Sequence, residues 1–467
     1  NAINRRNFVL KEMFQNRYIN ETVFNNELKK GLITNLSNNY KDKNNYRLLE
    51  GFLADEIRLD LNYLFDNNFL STNNVTINTS LDYDLQIKSD KTLSNELINL
   101  DKKNNFIQPP IKSLESFNFD FKDWNNILQN FDKQKIISSW DLGIIAKIEN
   151  NDFYLKIKNF ENLFKLHFPY FINPSFSIGD IVYYKIDKNS GRFIYQQVPN
   201  FDGGVLILER DTNKILALNG GFSYFTSGLN MVTEKKQNLK KALFPFFNFL
   251  ILDQTILSPS NVDIQLNSNI PKKLKNKTKS NIYNENSNLI VFNKKNINEL
   301  SLNLISNIKN SNLMINNEKE IIFNSEISLF DLMSYYRVLL SNNLPPNIKL
   351  IEKVYTSEKE IFNFKGLNQK NHKSNEIVGK KLFDDKEIIN FLNPQSFFIE
   401  NFETKSNNKN FYGWNIYDEK RGFTIFIGFN SQKIIGCYIS QINMNKKYYN
   451  SDNLINNSCV NVVKKLL

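Results

Sequence analysis

The chain has 467 residues, 41% of them hydrophobic and 23% charged, with 39 Phe and 20 Tyr; this is ample for packed cores, excludes global disorder and predicts about two to four domains. Two cysteines, Cys437 and Cys459, and two histidines, His167 and His372, are too few and too scattered for a Cys/His zinc site, a disulfide framework or a Cys/His protease. The net charge is +11, but the lysines are dispersed among abundant Asn and Ile rather than gathered into a stripe, so nucleic acid is not expected as a partner.

In chain order, Phe8, Leu10, Met13, Phe14, Tyr18 and Ile19 recur at helical spacing, and Thr22 opens a second short helix after a break at Asn20. A polar linker at 37–45 precedes an amphipathic helix around Tyr46 to Phe65. Val75, Ile77 and Thr79 alternate as in a strand, and Leu81 to Leu97 turns helical. From Trp140 to Val198 the short runs GIIAKIE, DFYLKI, DIVYYKI and FIYQQV predict strands of a small OB-type barrel. A hairpin follows, with Val205, Ile207 and Leu208 on one side, a turn at Asp211-Thr212-Asn213, and Ile215 to Leu218 on the other. The apolar stretch ALFPFFNFLI reads as helical, 258–290 as polar loop, and Asn298–Ile308 and Ser328–Leu340 as helices. Two strands, GFTIFIGF and KIIGCYIS, flank a turn at Asn430-Ser431-Gln432. Hairpins and helices together imply an antiparallel sheet covered by helices, an α+β arrangement. No run is long and apolar enough to cross a membrane, and no signal peptide is present. The first residue is Asn1 rather than Met, so a fragment or processed product is expected.

These pieces, in this order, resemble class A penicillin-binding proteins of the 1A type. NAINRRNFVLKEMFQNRYINETVFNNEL is similar to the end of their glycosyltransferase domain. INTSLDYDLQ, through Thr79, Ser80, Leu81, Asp82 and Gln86, resembles their T-S-L-D-x-x-x-Q segment. The barrel-like stretch sits where such proteins carry an OB-like insert. QVPNFDGGVLILERDTNKILALNGG resembles the start of the transpeptidase domain, and EISLFDLMSYYRVLLSNN a later helix of it. The resemblance implies the end of a glycosyltransferase domain at 1–36, a linker and first part of the transpeptidase region at 37–139, an OB-like domain at 140–199, and a transpeptidase-like domain at 200–467.

That chemistry needs a Ser with a Lys three residues on at a helix start, where the amine serves as base and backbone N–H groups hold the oxyanion. A Ser-x-Asn and a Lys-Thr-Gly on a strand complete it. Counted without gaps from Gly220-Gly221 through Asn230 and Thr233 to Pro245-Phe246, the nucleophile position falls on Lys241 and the base position on Phe244. Phe cannot take a proton, and an acylated Lys would be a stable amide. The second motif falls on Ser301-Leu302-Asn303, intact through Ser301 and Asn303. The third falls on Trp414-Asn415-Ile416, where Trp414 and Ile416 replace the Lys and Gly, and a β-branched residue in place of glycine obstructs close approach to the strand. Bare Ser-x-x-Lys patterns occur at Ser306–Lys309 and Ser406–Lys409 without the following Pro-Phe helix.

Other candidates have plain structural readings. Lys240 reads as a solvated helix end, Phe246, Phe247 and Phe249 as core, His167 as structural, Asp141 and Asp180 as turn caps, and Asp82 and Gln86 as joints. Cys437 and Cys459 are expected to be free thiols. No catalytic residue, cofactor or metal is assigned. The resemblance implies peptidoglycan or its precursors and cell-wall synthesis proteins as partners. It also implies a place at the periplasmic face of the bacterial inner membrane, held by an upstream anchor. The expected function is a transpeptidase-like domain without its nucleophile, serving as scaffold beside an upstream glycan polymerase. The alternatives are a working bifunctional synthase with a relocated nucleophile, or a drifting remnant.

Overall fold

The computed structural model describes residues 2–16, 18–29, 51–65, 69, 74–104, 106–114, 121–130, 140–168, 174–187, 189–212, 214–224, 228–239, 242–243, 289–293, 313–316, 320–324, 326–340, 348–357, 359–363, 398–403, 410–418, 421–442 and 455–467. The chain divides into two units, Asn1–Glu50 and Gly51–Leu467.

In the first unit, helix α1 (Ala2–Gln15) and helix α2 (Glu21–Lys29) form a hairpin. Asn20 ends the break between them by accepting from the Val23 N–H at 2.9 Å, and Phe14 stacks on Phe24 at 4.9 Å.

The second unit opens with α3 (Phe52–Leu64), β1 (Val75–Thr79), α4 (Tyr83–Lys103), β2 (Lys112–Ser113) and α5 (Phe121–Asn130). Helix α4 runs past the predicted Leu97 to Lys103 because Leu93, Leu97 and Leu100 continue one buried stripe. Strands β3 (Asp141–Glu149), β4 (Asp152–Ile157), β5 (Phe160–His167), β6 (Asp180–Ile186) and β7 (Phe193–Gln196) close on themselves as a five-stranded barrel, and β2 adds to β6. The β3–β4 turn is Asn150-Asn151, both at positive φ (50° and 66°), the conformation that matches a two-residue hairpin to strand twist. Ile145, Phe153, Leu155, Val182, Tyr184 and Tyr195 fill the barrel. Trp124 of α5 packs with Trp140, Ile144, Ile181 and Tyr183 in a second cluster.

Beyond the barrel come β8 (Phe201–Glu209), β9 (Ile215–Asn219), β10 (Gln237–Asn238), β11 (Leu289–Asn293), β12 (Leu313–Asn316), β13 (Glu320–Asn324), β14 (Glu326–Ile327) and α6 (Leu329–Leu340). These are followed by β15 (Ile351–Thr356), β16 (Glu360–Asn363), β17 (Phe398–Glu403), β18 (Asn410–Asp418), β19 (Phe423–Phe429), β20 (Lys433–Gln441) and α7 (Ser458–Leu466). The central sheet has the order β17-β18-β19-β20-β8-β9, antiparallel throughout. Smaller sheets are β1-β15-β16, β11-β13-β12 and β10-β14.

Alternation along the central strands sends residues to two cores. Val205, Ile207, Ile435, Cys437 and Ile439 meet α4 and α7, while Leu206, Leu208, Ile425, Ile427, Ile434 and Tyr438 meet α3 and α6. Both faces are covered, which is why β19 and β20 read as nearly continuous apolar runs rather than alternating ones. The architecture is α+β: a helix-covered antiparallel sheet with a barrel ahead of its first strand.

The cysteines depart from expectation. Cys437 on β20 and Cys459 on α7 are disulfide-bonded, with Cα atoms 5.4 Å apart, a normal separation for such a bridge. Docking α7 on the sheet brings together two residues whose separation in sequence gives no hint of it.

Candidate functional site

The landmarks that set the motif register are held by hydrogen bonds. Asn230 Oδ1 accepts from the Val232 N–H at 2.9 Å, and its amide donates to Glu56 Oε1 of α3 at 2.9 Å. The Thr233 hydroxyl donates to the same carboxylate oxygen. Burial raises the Glu56 carboxyl pKa against these bonds, with Glu234 and Asp55 adding to the rise. Gly220 lies against Phe52 and Asn230, and a Cβ there would meet Phe52 Cγ at 2.7 Å.

The earlier segment behaves likewise. The Ser80 hydroxyl is 2.8 Å from the Ile215 carbonyl and 3.1 Å from that of Lys349. Asp82 caps α4 by accepting from Leu85 N–H at 3.0 Å. Gln86 imitates a neighbouring strand: its amide donates to the Leu218 carbonyl and its oxygen accepts from the Leu218 N–H, both at 2.9 Å. Asp180 accepts from Ser113 and from the Ser177 N–H at 2.6 and 2.7 Å, the turn-capping role. His167 is half-buried, and burial, with Arg192 and Lys165 nearby, lowers its pKa.

Lys241, Phe244, Ser301 and Asn303 lie outside the described residues, as do Lys240, the Phe246–Phe249 run and both bare Ser-x-x-Lys patterns. The described neighbours of the nucleophile position, Leu239, Ala242 and Leu243, are all buried in the core shared with α6. Just ahead of them β10 pairs with β14, and the Gln237 amide donates to the Tyr438 hydroxyl.

Trp414 and Ile416 are described, and both point inward from β18. Trp414 is 1% exposed and Ile416 4%. The Trp414 ring lies 4.7 Å from that of Tyr336 and 6.2 Å from that of Phe429. Tyr336, on α6, is itself buried, and its hydroxyl donates to the Ala242 carbonyl. Burial pushes its pKa up, so the hydroxyl stays a donor. Tyr336 therefore joins Ala242 to β18 through a hydrogen bond and a packed aromatic pair. Asn415 faces the other way and donates to the Asn456 carbonyl and side chain. The outer edge of β18 is taken by β17, with Ile399 opposite Trp414 and Phe398 opposite Asn415, so those positions have strand partners on both sides.

Tyr336 was not singled out from sequence. Its helix is legible, but nothing in LFDLMSYYRVLL says which tyrosine crosses the core. Among the described residues no group of His, Cys, Asp and Glu is arranged to hold a metal ion. Likewise, among the described residues no helix is long and apolar enough to cross a membrane.

No protein-family model matches the chain. Penicillin-binding protein 1A of Rickettsia typhi is 20% identical over 242 residues, 49% of this chain and 29% of its own length. The protein of the same name from Rickettsia prowazekii is 20% identical over 239 residues with the same shares. The chain thus matches less than a third of the length of these curated relatives. The crystal structure of penicillin-binding protein 1A from Haemophilus influenzae superimposes with a TM-score of 0.61 at 11% identity, over 99% of this chain and 76% of that one. In sequence the chain is similar to penicillin-binding protein 1A, and it shares the fold of that solved structure.

Proposed function

We propose that this chain acts in peptidoglycan synthesis as the transpeptidase-type portion of a class A penicillin-binding protein, and that this portion does no acyl transfer. The observation that carries the reading is the packing of Tyr336 between Ala242 and β18. Tyr336 bonds to Ala242 and packs on Trp414, and Trp414 and Ile416 sit in the core where the resembling motif needs a Lys and a Gly. A peptide adding itself to a sheet needs a free edge, and β17 occupies that of β18 at Trp414 and Asn415. In an ungapped register anchored by Asn230 and Thr233, Lys241 has no hydroxyl at the nucleophile position and Phe244 cannot take a proton at the base position.

On this reading residues 1–36 are the end of a glycosyltransferase domain, 140–199 the inserted OB-like domain, and 200–467 the transpeptidase-like scaffold. Glycan polymerisation belongs to the part upstream, at the periplasmic face of the inner membrane. The partners are peptidoglycan, its precursors or other cell-wall synthesis proteins.

The test is labelling of the purified chain with a fluorescent penicillin, then denaturing electrophoresis with and without excess unlabelled drug. No competable band is expected from protein that melts cooperatively. A covalent, competable band would overturn the reading, and mapping the acylated residue would identify a relocated nucleophile.

A further inference from the structure

We infer that Cys437 and Cys459 are a native structural cross-link, made in an oxidising compartment by a thiol–disulfide oxidase before α7 docks on the sheet. The inference stands on the geometry of the two residues and not on the resemblance to any family.

The placement of both residues is set by contacts that do not involve sulfur. Helix α7 is tied to α4 by Asn461 and Lys465, which donate to Glu96 at 3.0 and 3.2 Å, and by Lys88, which donates to the Leu466 carbonyl at 3.0 Å. Its N-terminal approach is tied to β18 by Asn415. Cys437 is held on β20 opposite Phe426 of β19 and Val205 of β8. These ties deliver the two Cα atoms to 5.4 Å, within the span a disulfide bridges without backbone movement.

Cys437 and Cys459 are the two cysteines among these 467 residues, and both are 0% exposed, so when folded neither offers a thiol to another chain. The same burial sets the order of events. A thiolate must reach an oxidant to react, so the bond forms while α7 is still undocked. One cysteine thiolate attacks the oxidase disulfide and gives a mixed disulfide with release of one oxidase thiol. The second cysteine then displaces the other oxidase sulfur. Two S–H bonds are lost, one S–S bond forms, two protons leave, and two electrons reduce the oxidase. Thiol-reducing compartments run this exchange backwards.

The full chain would be produced with export to an oxidising compartment, denatured and alkylated without reductant, and weighed intact. The expected result is no alkyl adduct, and two after reduction. Two adducts without reduction, or a single adduct from a disulfide-linked dimer, would overturn the inference. A second readout compares thermal melting of protein unfolded in denaturant and refolded with or without a phosphine reductant, so that the reductant meets the bond while the chain is open. The wild-type midpoint should fall with reductant, while a Cys437→Ala/Cys459→Ala double variant should melt at one temperature in both. Equal responses of the two proteins would overturn it as well.

Discussion

Asp101 is 1% exposed at the end of α4, where the barrel hands the chain to β8. Its carboxylate accepts from the Gln197 amide at 2.8 Å and from the Asn200 N–H at 3.1 Å, both on Oδ2. Gln197 also donates to the Phe106 carbonyl at 3.0 Å and accepts from the Gln108 N–H and the Tyr195 hydroxyl at 3.0 and 3.2 Å. Burial pushes the Asp101 carboxyl up to about 7, against the opposing hydrogen bonds from Gln197 and Asn200. The folded protein therefore holds this proton more tightly than the unfolded chain, whose value is the ordinary 3.8. Its contribution to stability is complete below pH 4, is lost as the pH rises to about 7, and is constant above that. The interval corresponds to roughly 4 kcal/mol as an upper figure.

Asp101→Asn tests this, because an amide oxygen can take the Oδ2 position and keep both bonds without carrying charge. Guanidinium unfolding at half-unit steps from pH 4 to pH 8.5 should show the variant level with the wild type at the acid end. It should be more stable by up to about 4 kcal/mol at the alkaline end. Asp60 and Asp90, pushed up mainly by burial to about 6 and about 7, titrate in the same window in both proteins and cancel in the difference. Parallel stability curves for the two proteins would refute the reasoning, since they would mean that Asp101 is ionised in the fold at no cost.

Trp414→Ala should cost about 3–5 kcal/mol by opening a cavity beside Tyr336 and Phe429, and it should leave penicillin labelling absent; chemical unfolding and gel fluorescence read the two halves. Tyr336→Phe should cost about 1–3 kcal/mol by orphaning the buried Ala242 carbonyl, and a loss below a few tenths would show that this bond does not hold the segment. Gln86→Leu strips both groups of Leu218 of their partners and should lower stability by about 2–4 kcal/mol. Asn151→Gly, at φ 66°, relieves a left-handed residue and should raise the melting midpoint by a degree or more, and an unchanged or lower midpoint in calorimetry would show that Asn carries no strain there.

The elements legible in the sequence were those whose signals are local. The β8–β9 and β19–β20 hairpins announce themselves by turn residues between apolar runs, and α6 by its spacing. Helix α5 was not read from the sequence, although Phe121, Trp124, Ile127 and Leu128 fall at helical intervals, because it is one short element between polar runs. Strand β5 was missed because Phe160, Leu163 and Glu161 are all exposed, so no clean two-residue alternation survives. Strands β15 and β16 find their partner in β1, far away in sequence, and no local window contains that information. The same limit applies at the site. Trp414 and Ile416 are visible in the sequence as apolar residues, but the face they occupy depends on how β18 registers against β19, with Trp414 opposite Ile427. The cysteine bridge depends on α7 reaching the sheet.

What separates a scaffold from a drifting remnant is where the departures fall. Of the positions that match the resembling family, Ser80, Gln86, Gly220, Asn230 and Thr233 each make a bond or close contact that joins two elements, and Asp82 caps α4. Their loss would loosen α4 from β9 or α3 from the loop ahead of β10. The positions that depart, Trp414 and Ile416, would carry chemistry in the resembling family, and here they are filled with side chains that pack at 4% exposure or less. The scaffold reading proposed above accounts for joints kept while positions 414 and 416 carry buried hydrophobics; unselected substitution would not favour that division. It would scatter polar residues and cavities through both. Hydrogen-bonded joints that are kept, with Trp414 packed on Tyr336 and Phe429, favour stability, which is what the scaffold role proposed above requires and what a catalyst partly gives up.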